Sequence, residues 1–330
     1  MAVLTLKSLS FAILRRLGDG DFHSGEKIAQ HFGISRASVW QALKPFSDLG
    51  VKIFRVPGRG YRLSAPVEWL DSRLIQDALK AKSSLFNLEI LDQADSTNRV
   101  LLQKSTLGAE RGSCVIAELQ TAGRGRRGRN WHAGLGGGLT FSILWRFDQG
   151  ASFLSGLSLA VGVALVRALR EIGLRDAMLK WPNDVLFQNR KLAGVLIEMQ
   201  GDVAGPCAVV IGIGLNLRLE QAVLEQIDQP VVDLYSAMQQ LPQRNLILAS
   251  ILSHLADVLK EFENAGFSEL RHEWKSYHVH QEKPVQLLLP AGATVVGTVL
   301  DVAEDGALLL ETATGLSRYT SGEVSLRGGL

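Results

Sequence analysis

Apolar residues recur at helical spacing at Leu6, Leu9, Ile13, Leu14 and Leu17, which predicts a first amphipathic helix ending near Gly18. Ser24 is placed to cap a short helix holding Ile28, Ala29 and Phe32. Gly33 supplies a tight turn, and Ser35 caps a second helix in which Val39, Ala42 and Leu43 face inward and Arg36, Ser38, Gln41 and Lys44 face out. A strand from Val51 to Val56, a turn Pro57-Gly58-Arg59-Gly60 and a returning strand from Tyr61 to Leu63 follow. Two short helices joined at a glycine and backed by a hairpin read as a winged helix-turn-helix, with Arg55, Arg59 and Arg62 on the wing to meet phosphates or a minor groove. The plainer alternative is a structural helical hairpin with scattered surface charge. Pro45 lacks an N–H and crowds the carbonyl of Gln41, so the second helix is expected to kink or stop there.

After Ser64 to Pro66, a short polar helix is expected from Trp69 to Lys80. Strands are then predicted at Leu88 to Asp92, Cys114 to Leu119, Leu139 to Trp145, Met178 to Lys180, Val185 to Gln188, Ala193 to Met199 and Ala208 to Asn216. Helices are predicted at Asn98 to Thr106, Phe153 to Ile172 and Arg244 to Asn264. Strand pairs joined by short turns dominate, so this is α+β with a mixed sheet, not a doubly wound parallel one. The uncharged run Gln149 to Val166 approaches membrane-spanning length. Its serines and glycines, and its continuation into Arg167, Arg170 and Glu171, favour a buried helix.

Short alternating runs at Val285 to Leu289, Thr294 to Val302, Ala307 to Glu311, Leu316 to Thr320 and Glu323 to Leu326 predict a small β-barrel. His278 and His280 would share one face of a strand. Two ligands without a third read as a solvated pair, not a metal site. Trp69, Trp145 and Trp274 read as packing residues with an N–H partner. The expected organisation is therefore residues 1–63, a linker at 64–83, a large unit at 84–275 and a small one at 276–330.

Composition adds bounds. With 46% hydrophobic and 21% charged residues among 330, the chain reads as a soluble protein of two or three domains. A net charge of +2 says nothing about nucleic acid, so local clustering carries that argument. Cys114 and Cys207 show no metal or disulfide spacing, and the N-terminus lacks a signal-type pattern. Both features fit a reducing cytoplasm.

The chemistry concentrates in Gly123 to Trp131, GRGRRGRNW, where Arg124, Arg126, Arg127 and Arg129 alternate with Gly123, Gly125 and Gly128. Glycines allow an anion-binding backbone nest, and guanidiniums grip phosphate oxygens in bidentate fashion. The formal match to a dinucleotide fingerprint is rejected, because Gly134, Gly136, Gly137 and Gly138 follow where a helix should open. A basic nucleic-acid loop is the other reading, disfavoured by the surrounding globular pattern. Lys180-Trp181-Pro182-Asn183-Asp184 places a phosphate-binding cation, an amide and a carboxylate able to hold Mg²⁺ at the end of a strand. Alone, it would read as a capped turn with a surface ion pair. Lys191, in Arg190-Lys191-Leu192-Ala193-Gly194, adds a cation beside a strand.

With the winged helix, GRGRRGRNW, KWPND, RKLAG, IGIGLN and GEVSLR in that order, the whole chain resembles the bifunctional biotin–protein ligases that also repress the biotin operon. The resemblance implies a class II synthetase-like central fold of the biotin–lipoyl ligase type and an SH3-like C-terminal barrel. It implies that biotin and ATP, with Mg²⁺, form biotinyl-5′-AMP, which passes biotin to a lysine of a biotin carboxyl carrier protein of acetyl-CoA carboxylase. It also implies a homodimer, when adenylate-bound, that binds operator DNA with biotinyl-5′-AMP as corepressor.

Carried over by motif, Ser96, Thr97, Asn98 and Gln120 would hold the biotin ring, and Gly123, Arg124, Gly125, Arg126 and Trp131 belong to the loop that folds over the adenylate. Lys191, near Gly194, would bond the reacting carboxylate and phosphate oxygens. Arg124 and Arg126 would share the catalytic screening of charge with it. Asn183, Asn216, Glu323 and Arg327 fall on the ATP side, and Asp184 is the candidate Mg²⁺ ligand. Ser35, Arg36, Ser38, Gln41, Lys44 and Arg59 would meet DNA. Pro230-Val231-Val232 stands where many members carry an aromatic residue over adenine. The alternatives are a DNA-binding biotin sensor with little transferase activity and a related lipoyl ligase.

Overall fold

Ser24 and Ser35 do what their positions predict. A computed structural model describes residues 6–201, 206–289, 293–320 and 325–328. In it α1 (Leu6–Arg16) precedes α2 (Gly25–Phe32), where Ser24 Oγ accepts from the Glu26 N–H at 3.3 Å. Gly33 takes the left-handed conformation (φ 65°) that ends α2, and Ser35 Oγ accepts from the Ser38 N–H at 3.1 Å to open α3 (Arg36–Asp48). The wing is the hairpin β1 (Ile53–Val56) and β2 (Gly60–Leu63).

Of the two outcomes expected at Pro45, a kink or a stop, the stop does not occur, and α3 runs on to Asp48. Proline costs about 3 kcal/mol in a helix interior. Burying a phenylalanine contributes about 1.5–3 kcal/mol in return, and Phe46 lies edge-on to Phe11 with ring centroids 5.0 Å apart. The Phe46 carbonyl also accepts from the N–H groups of Leu49 and Val51, so the last turn stays bonded after the proline. Leu14, Leu17, Ile28, Val39 and Leu43 complete this small core.

The expected helix from Trp69 to Lys80 is shorter: α4 spans Ser72–Leu79. Trp69 and Leu70 stay outside the helix because the Leu70 N–H is given to the Glu118 carboxylate at 2.8 Å, and Asp71 then caps the helix. Nor is α4 wholly polar, since Ile75 and Leu79 are buried. Trp69 also departs from the reading, because its indole N–H has no partner; Trp145 donates to Glu263 as expected.

The large sheet follows the predicted strands closely. Its members are β3 (Asn87–Ala94), β4 (Ser113–Gln120), β5 (Gly138–Phe147), β6 (Met178–Lys180), β7 (Asp184–Phe187), β8 (Arg190–Gly201) and β9 (Cys207–Asn216). They lie in the order β3-β4-β5-β9-β8-β7-β6, with only β3 and β4 parallel, so the sheet is mixed. Between β3 and β4 runs α5 (Thr97–Thr106).

The long apolar run forms α6 (Leu157–Glu171), a core helix whose Leu159, Val161, Val163 and Val166 are fully buried or nearly so. It begins four residues later than expected. Gly156 is left-handed (φ 83°), and a Cβ there would sit 2.6 Å from Phe267, so residues 151–154 form a separate turn. Two short helices, α7 (Gln221–Leu224) and α8 (Leu234–Met238), lead to α9 (Arg244–Ala265), which packs beside α6, and then to the unforeseen α10 (Ser268–Tyr277).

The last sheet has β10 (Pro284–Leu288), β11 (Thr294–Val302), β12 (Leu308–Thr312), β13 (Gly315–Tyr319) and β14 (Ser325–Gly328). It is antiparallel, in the order β13-β12-β11-β10-β14, and among the described residues β13 and β14 end it without pairing. Val285, Leu287, Val299 and Leu308 join the same buried cluster as the large sheet. Trp181 donates its indole N–H to the Gly306 carbonyl at 2.9 Å, fastening the two sheets.

His278 is not solvated, contrary to expectation. It is 3% exposed, stacked 4.5 Å from Trp274, and both ring nitrogens lack partners. The reason is that β6 recruits it: the Val279 N–H bonds the Leu179 carbonyl at 2.9 Å and draws the segment inside. Burial, reinforced by His280 and Lys283, pushes the His278 pKa down to about 3.

Two stability predictions result. Below pH 6.5, the ordinary histidine value, the unfolded chain binds a proton at this position that the fold refuses, so stability should fall from about pH 6.5 toward pH 3. His278→Phe should flatten that slope in urea titrations run at several pH values. Arg244 and Glu118 form a buried ion pair at 3.1 Å, with side chains 3% and 0% exposed. Arg244→Met should cost about 3–5 kcal/mol by urea denaturation, and adding Glu118→Gln should recover much of it, because the loss comes from a stranded charge.

Candidate active site and nucleic-acid interface

The floor of the main cavity is made of glycine. Gly194 on β8 pairs with Gly214 on β9, and Gly212 lies two residues along the same strand. A Cβ at Gly214 would lie 2.3 Å from the Trp131 ring, and one at Gly212 would lie 2.1 Å from Asn98 Oδ1. Both side chains therefore rest directly on the sheet, and any larger residue would expel them.

On one side stands the N-terminal end of α5. Ser96 caps it by position, but its hydroxyl makes no capping hydrogen bond and lines the cavity. Gln120 Oε1 accepts from the Thr97 N–H at 2.7 Å, which fixes the amide at the end of β4. Ser142 Oγ lies 2.7 Å from Thr97 Oγ1 and 2.5 Å from Asn98 Oδ1, locking both side chains from below.

Over this floor folds the arginine loop. Residues 126–128 form one tight turn and not a helix, with Arg127 left-handed (φ 56°). The Trp131 N–H bonds the Gly123 carbonyl at 2.9 Å and the Gly125 N–H bonds the Arg129 carbonyl at 2.7 Å, closing the loop on itself. Arg126 donates to Asn183 Oδ1 at 2.9 Å, and Arg124 pairs with Glu198 at 2.9 Å. Burial and the neighbouring Arg127 lower the Arg126 pKa, while Asp184 opposes that shift. Arginine stays charged regardless, so the crowding favours an incoming anion.

The third wall is the turn from Lys180 to Asp184, whose Trp181–Pro182 bond is cis. Asn183 is held by its own amide on the Val195 carbonyl at 2.9 Å. Lys191 Nζ lies 2.8 Å from Asp184 Oδ1 and 5.7 Å from the Trp131 ring centre, so the lysine is fixed between a carboxylate and an indole face. Six cations line the cavity (Arg124, Arg126, Arg127, Arg129, Lys180 and Lys191) against one carboxylate, Asp184. Such a site takes a polyanion.

The structure brings together Ser96, Thr97, Asn98, Gln120, Arg124, Gly125, Arg126, Trp131, Asn183, Asp184, Lys191 and Gly194. Gly123 and Asn216 are not among the lining residues. Gly123 is the base of the loop, and Asn216, 2% exposed, donates to the Lys191 and Val232 carbonyls and so holds the lysine's backbone. Glu323 lies outside the described residues. Arg327 is placed only by its backbone, opposite Gln286. Val231 lies opposite Lys191 in a single parallel bridge. Lys180, read from the sequence as a phosphate-binding cation, lines the cavity too; Gln229 and Glu198 are the participants that the sequence did not single out. A lone carboxylate in the otherwise apolar run Val195-Leu196-Ile197-Glu198-Met199 was the available signal.

A second face lies on the winged helix. Arg36, Gln41 and Lys44 are exposed along α3 with Trp40, while Ser35 and Ser38 spend their hydroxyls on the cap, 2.9 Å apart. Arg59 at the wing tip stacks 4.1 Å from Phe22, and Arg55 lies 5.1 Å from the Trp40 ring. Arg62 is half-buried between Phe22 and Phe54, so it packs the wing instead of extending from it.

Three known families match the chain in order. An HTH domain covers residues 10–62, the Biotin/lipoate A/B protein ligase family covers 90–216, and the Biotin protein ligase C terminal domain covers 280–327. The bifunctional ligase/repressor BirA of Salmonella typhimurium is 36% identical over 97% of this chain and 98% of its own length. That of Escherichia coli is 35% identical, over 96% of each. The biotin protein ligase of Aquifex aeolicus, solved with biotin and ATP, superposes with a TM-score of 0.65 at 33% identity, covering 74% of this chain and 99% of that one. On identity kept from end to end, with a helix-turn-helix domain ahead of the ligase domain, this chain belongs to the family of bifunctional biotin protein ligase/repressors.

Proposed function

We propose that the chain is an ATP-dependent biotin–protein ligase that also represses transcription when loaded with biotinyl-5′-AMP. The observation that carries the ligase half is the glycine-floored cavity lined by six cations and one carboxylate. The biotin carboxylate oxygen attacks the α-phosphorus of ATP, an O–P bond forms, the bond to the β-phosphate bridge breaks, and pyrophosphate leaves. Both reactants are anions, so the barrier is largely electrostatic, and preorganised cations lower it. Arg124, Arg126 and Lys191 are assigned that screening, with Ser96, Thr97, Asn98, Gln120 and Trp131 around the ring of biotin. A neutral lysine amine of the acceptor then attacks the mixed anhydride carbonyl; C–N forms, C–O breaks, AMP leaves, and the nitrogen gives up one proton to solvent.

Among the described residues, no group of three or more His, Cys, Asp or Glu side chains could cage a metal. A single lining carboxylate suits Mg²⁺, which keeps several waters and leans on substrate phosphates. Asp184 would hold it, and it would add positive charge beside the leaving pyrophosphate.

The acceptor is proposed to be a biotin carboxyl carrier protein, and the site of action the cytoplasm. Residues 1–63 are proposed as the operator-binding domain, 64–83 as the linker, 84–275 as the catalytic domain and 276–330 as an SH3-like domain. Adenylate-loaded chains are proposed to pair as homodimers on two half-sites, with Arg36, Gln41, Lys44 and Arg59 toward the duplex.

Pyrophosphate exchange into ATP should require biotin and should fall roughly a hundredfold or more in Lys191→Ala and Arg126→Ala, as for loss of one transition-state donor. Exchange with lipoate in place of biotin would overturn the substrate. On a duplex selected from a random pool by the biotinyl-AMP-loaded chain, Lys44→Ala and Arg59→Ala should each reduce the salt slope of binding by about one.

A further inference from the structure

The outward face of α3 carries an apolar island inside a basic ring. Trp40 is 41% exposed, and Ala37, three residues back on the same side of the helix, is exposed beside it. Arg36 and Lys44 stand one turn to either side of Trp40, and Gln41 follows it. The first acidic residue of α3 is Asp48, at its last position. Val39, Ala42, Leu43 and Phe46 hold the helix to its core from the other side, so the indole plays the part of a surface residue.

The other rings of the winged helix are sheltered. Phe11, Phe46 and Tyr61 are buried, and Phe32 packs edge-on to His31. Phe22 has the guanidiniums of Arg59 and Arg62 against it at 4.1 and 5.0 Å, and Phe54 has Arg62 and Lys52 at 5.2 and 5.3 Å. Of the Phe, Tyr and Trp rings described in residues 6–63, Trp40 alone is exposed. It meets one cation, Arg55 of β1, at 5.1 Å. An indole left open among donors suits a surface that is anionic overall and bears small apolar groups. Duplex DNA is such a surface, because its major groove sets thymine C5-methyl groups among base-edge acceptors, between two rows of phosphates.

We propose that Trp40 is a specificity-determining residue of the winged helix: with Ala37 it packs against the C5-methyl group of a thymine in each half-site, while Arg36, Lys44 and Arg55 engage the phosphates around it. The proposal rests on the operator-binding reading of residues 1–63 and adds which chemical group of the duplex is read there. Arg55, stacked on the indole, holds the ring beside the wing, so less side-chain freedom is lost on binding. Trp40 carries no charge, so its contribution should depend on the methyl group and not on salt.

The test uses the full chain loaded with biotinyl-5′-AMP and a duplex that it selects from a random pool. The duplex is resynthesised with deoxyuridine for thymine, one position at a time, which removes the C5-methyl group and nothing else. For wild type, one or two positions in each half-site should weaken binding about threefold to tenfold, as for one buried methyl group. Trp40→Ala should bind the unmodified duplex about as weakly as wild type binds the uracil duplex, and methyl removal there should cost it nothing more. Trp40→Phe should keep part of the sensitivity. The salt slope of Trp40→Ala should equal that of wild type, and so should its thermal midpoint, since the ring is exposed. Selective binding that is indifferent to every methyl group, or Trp40→Ala as sensitive as wild type, would overturn the Trp40 assignment alone. Absence of any selected duplex for wild type would overturn the operator-binding reading, and this assignment with it.

Discussion

Everything at the cavity depends on the absence of side chains on two central strands. Gly194, Gly212 and Gly214 let an indole and an amide lie on the backbone of β8 and β9, inside the distance a methyl group would occupy. Trp131 then serves as a wall against which Lys191 is set, and Asn98 becomes a fixed point for Glu198. The rest of the sheet is dense with Val, Ile and Leu, so the glycine patch is a deliberate gap in a close-packed surface. A cavity made this way has a close-packed floor under a separate covering loop, which suits a site that must hold a ligand and exclude water.

Charge is handled by pairing across elements. Arg124, Arg126 and Lys191 come from the loop and from β8, and their partners Glu198, Asn183 and Asp184 come from β8 and the turn before β7. None of these pairs is local in sequence apart from Lys191 with Asp184, so the cations are aimed by the fold and not by the loop itself. The same device works where no ligand is expected. Arg244 and Glu118, buried together, also bind the backbone of the segment that leads out of the winged helix, at the Glu68 carbonyl and the Leu70 N–H. The Arg15–Asp92 pair at 2.7 Å ties α1 to β3, and Ser64, just after the wing, donates to Glu220, just ahead of α7, at 2.5 Å. The nucleic-acid face is thereby held in a defined position relative to the cavity.

Much of this was legible in the residues. The caps at Ser24 and Ser35, the left-handed Gly33 and the wing turn follow from local chemistry, and the strands of the large sheet follow from runs of β-branched and aliphatic residues. The arginine loop could be seen to be unsuited to a dinucleotide helix, because glycines follow it. The misses have a common cause. Pro45, Trp69 and His278 were each read from intrinsic preference, and each is overruled by a distant partner: Phe11 behind Phe46, Glu118 at Leu70, and Leu179 at Val279. At Pro45 the local cost of about 3 kcal/mol is largely offset by burial of one aromatic ring, worth about 1.5–3 kcal/mol; at the other two a hydrogen bond to a distant residue decides.

The sequence alone determined most of the elements, α10 excepted, and the clustering of guanidiniums in one glycine-rich loop, because periodicity, caps and local composition are properties of neighbours along the chain. Only the tertiary structure decided that Asn216 supports Lys191 from behind, that Glu198 joins Asn98 to Arg124, and that the C-terminal sheet shares the core of the large one. Those relations link residues from about 25 to more than 100 positions apart, and no spacing rule reaches that far. Pairing of strands fixes them, since the register of β5, β8 and β9 sets which glycine lies beneath which side chain.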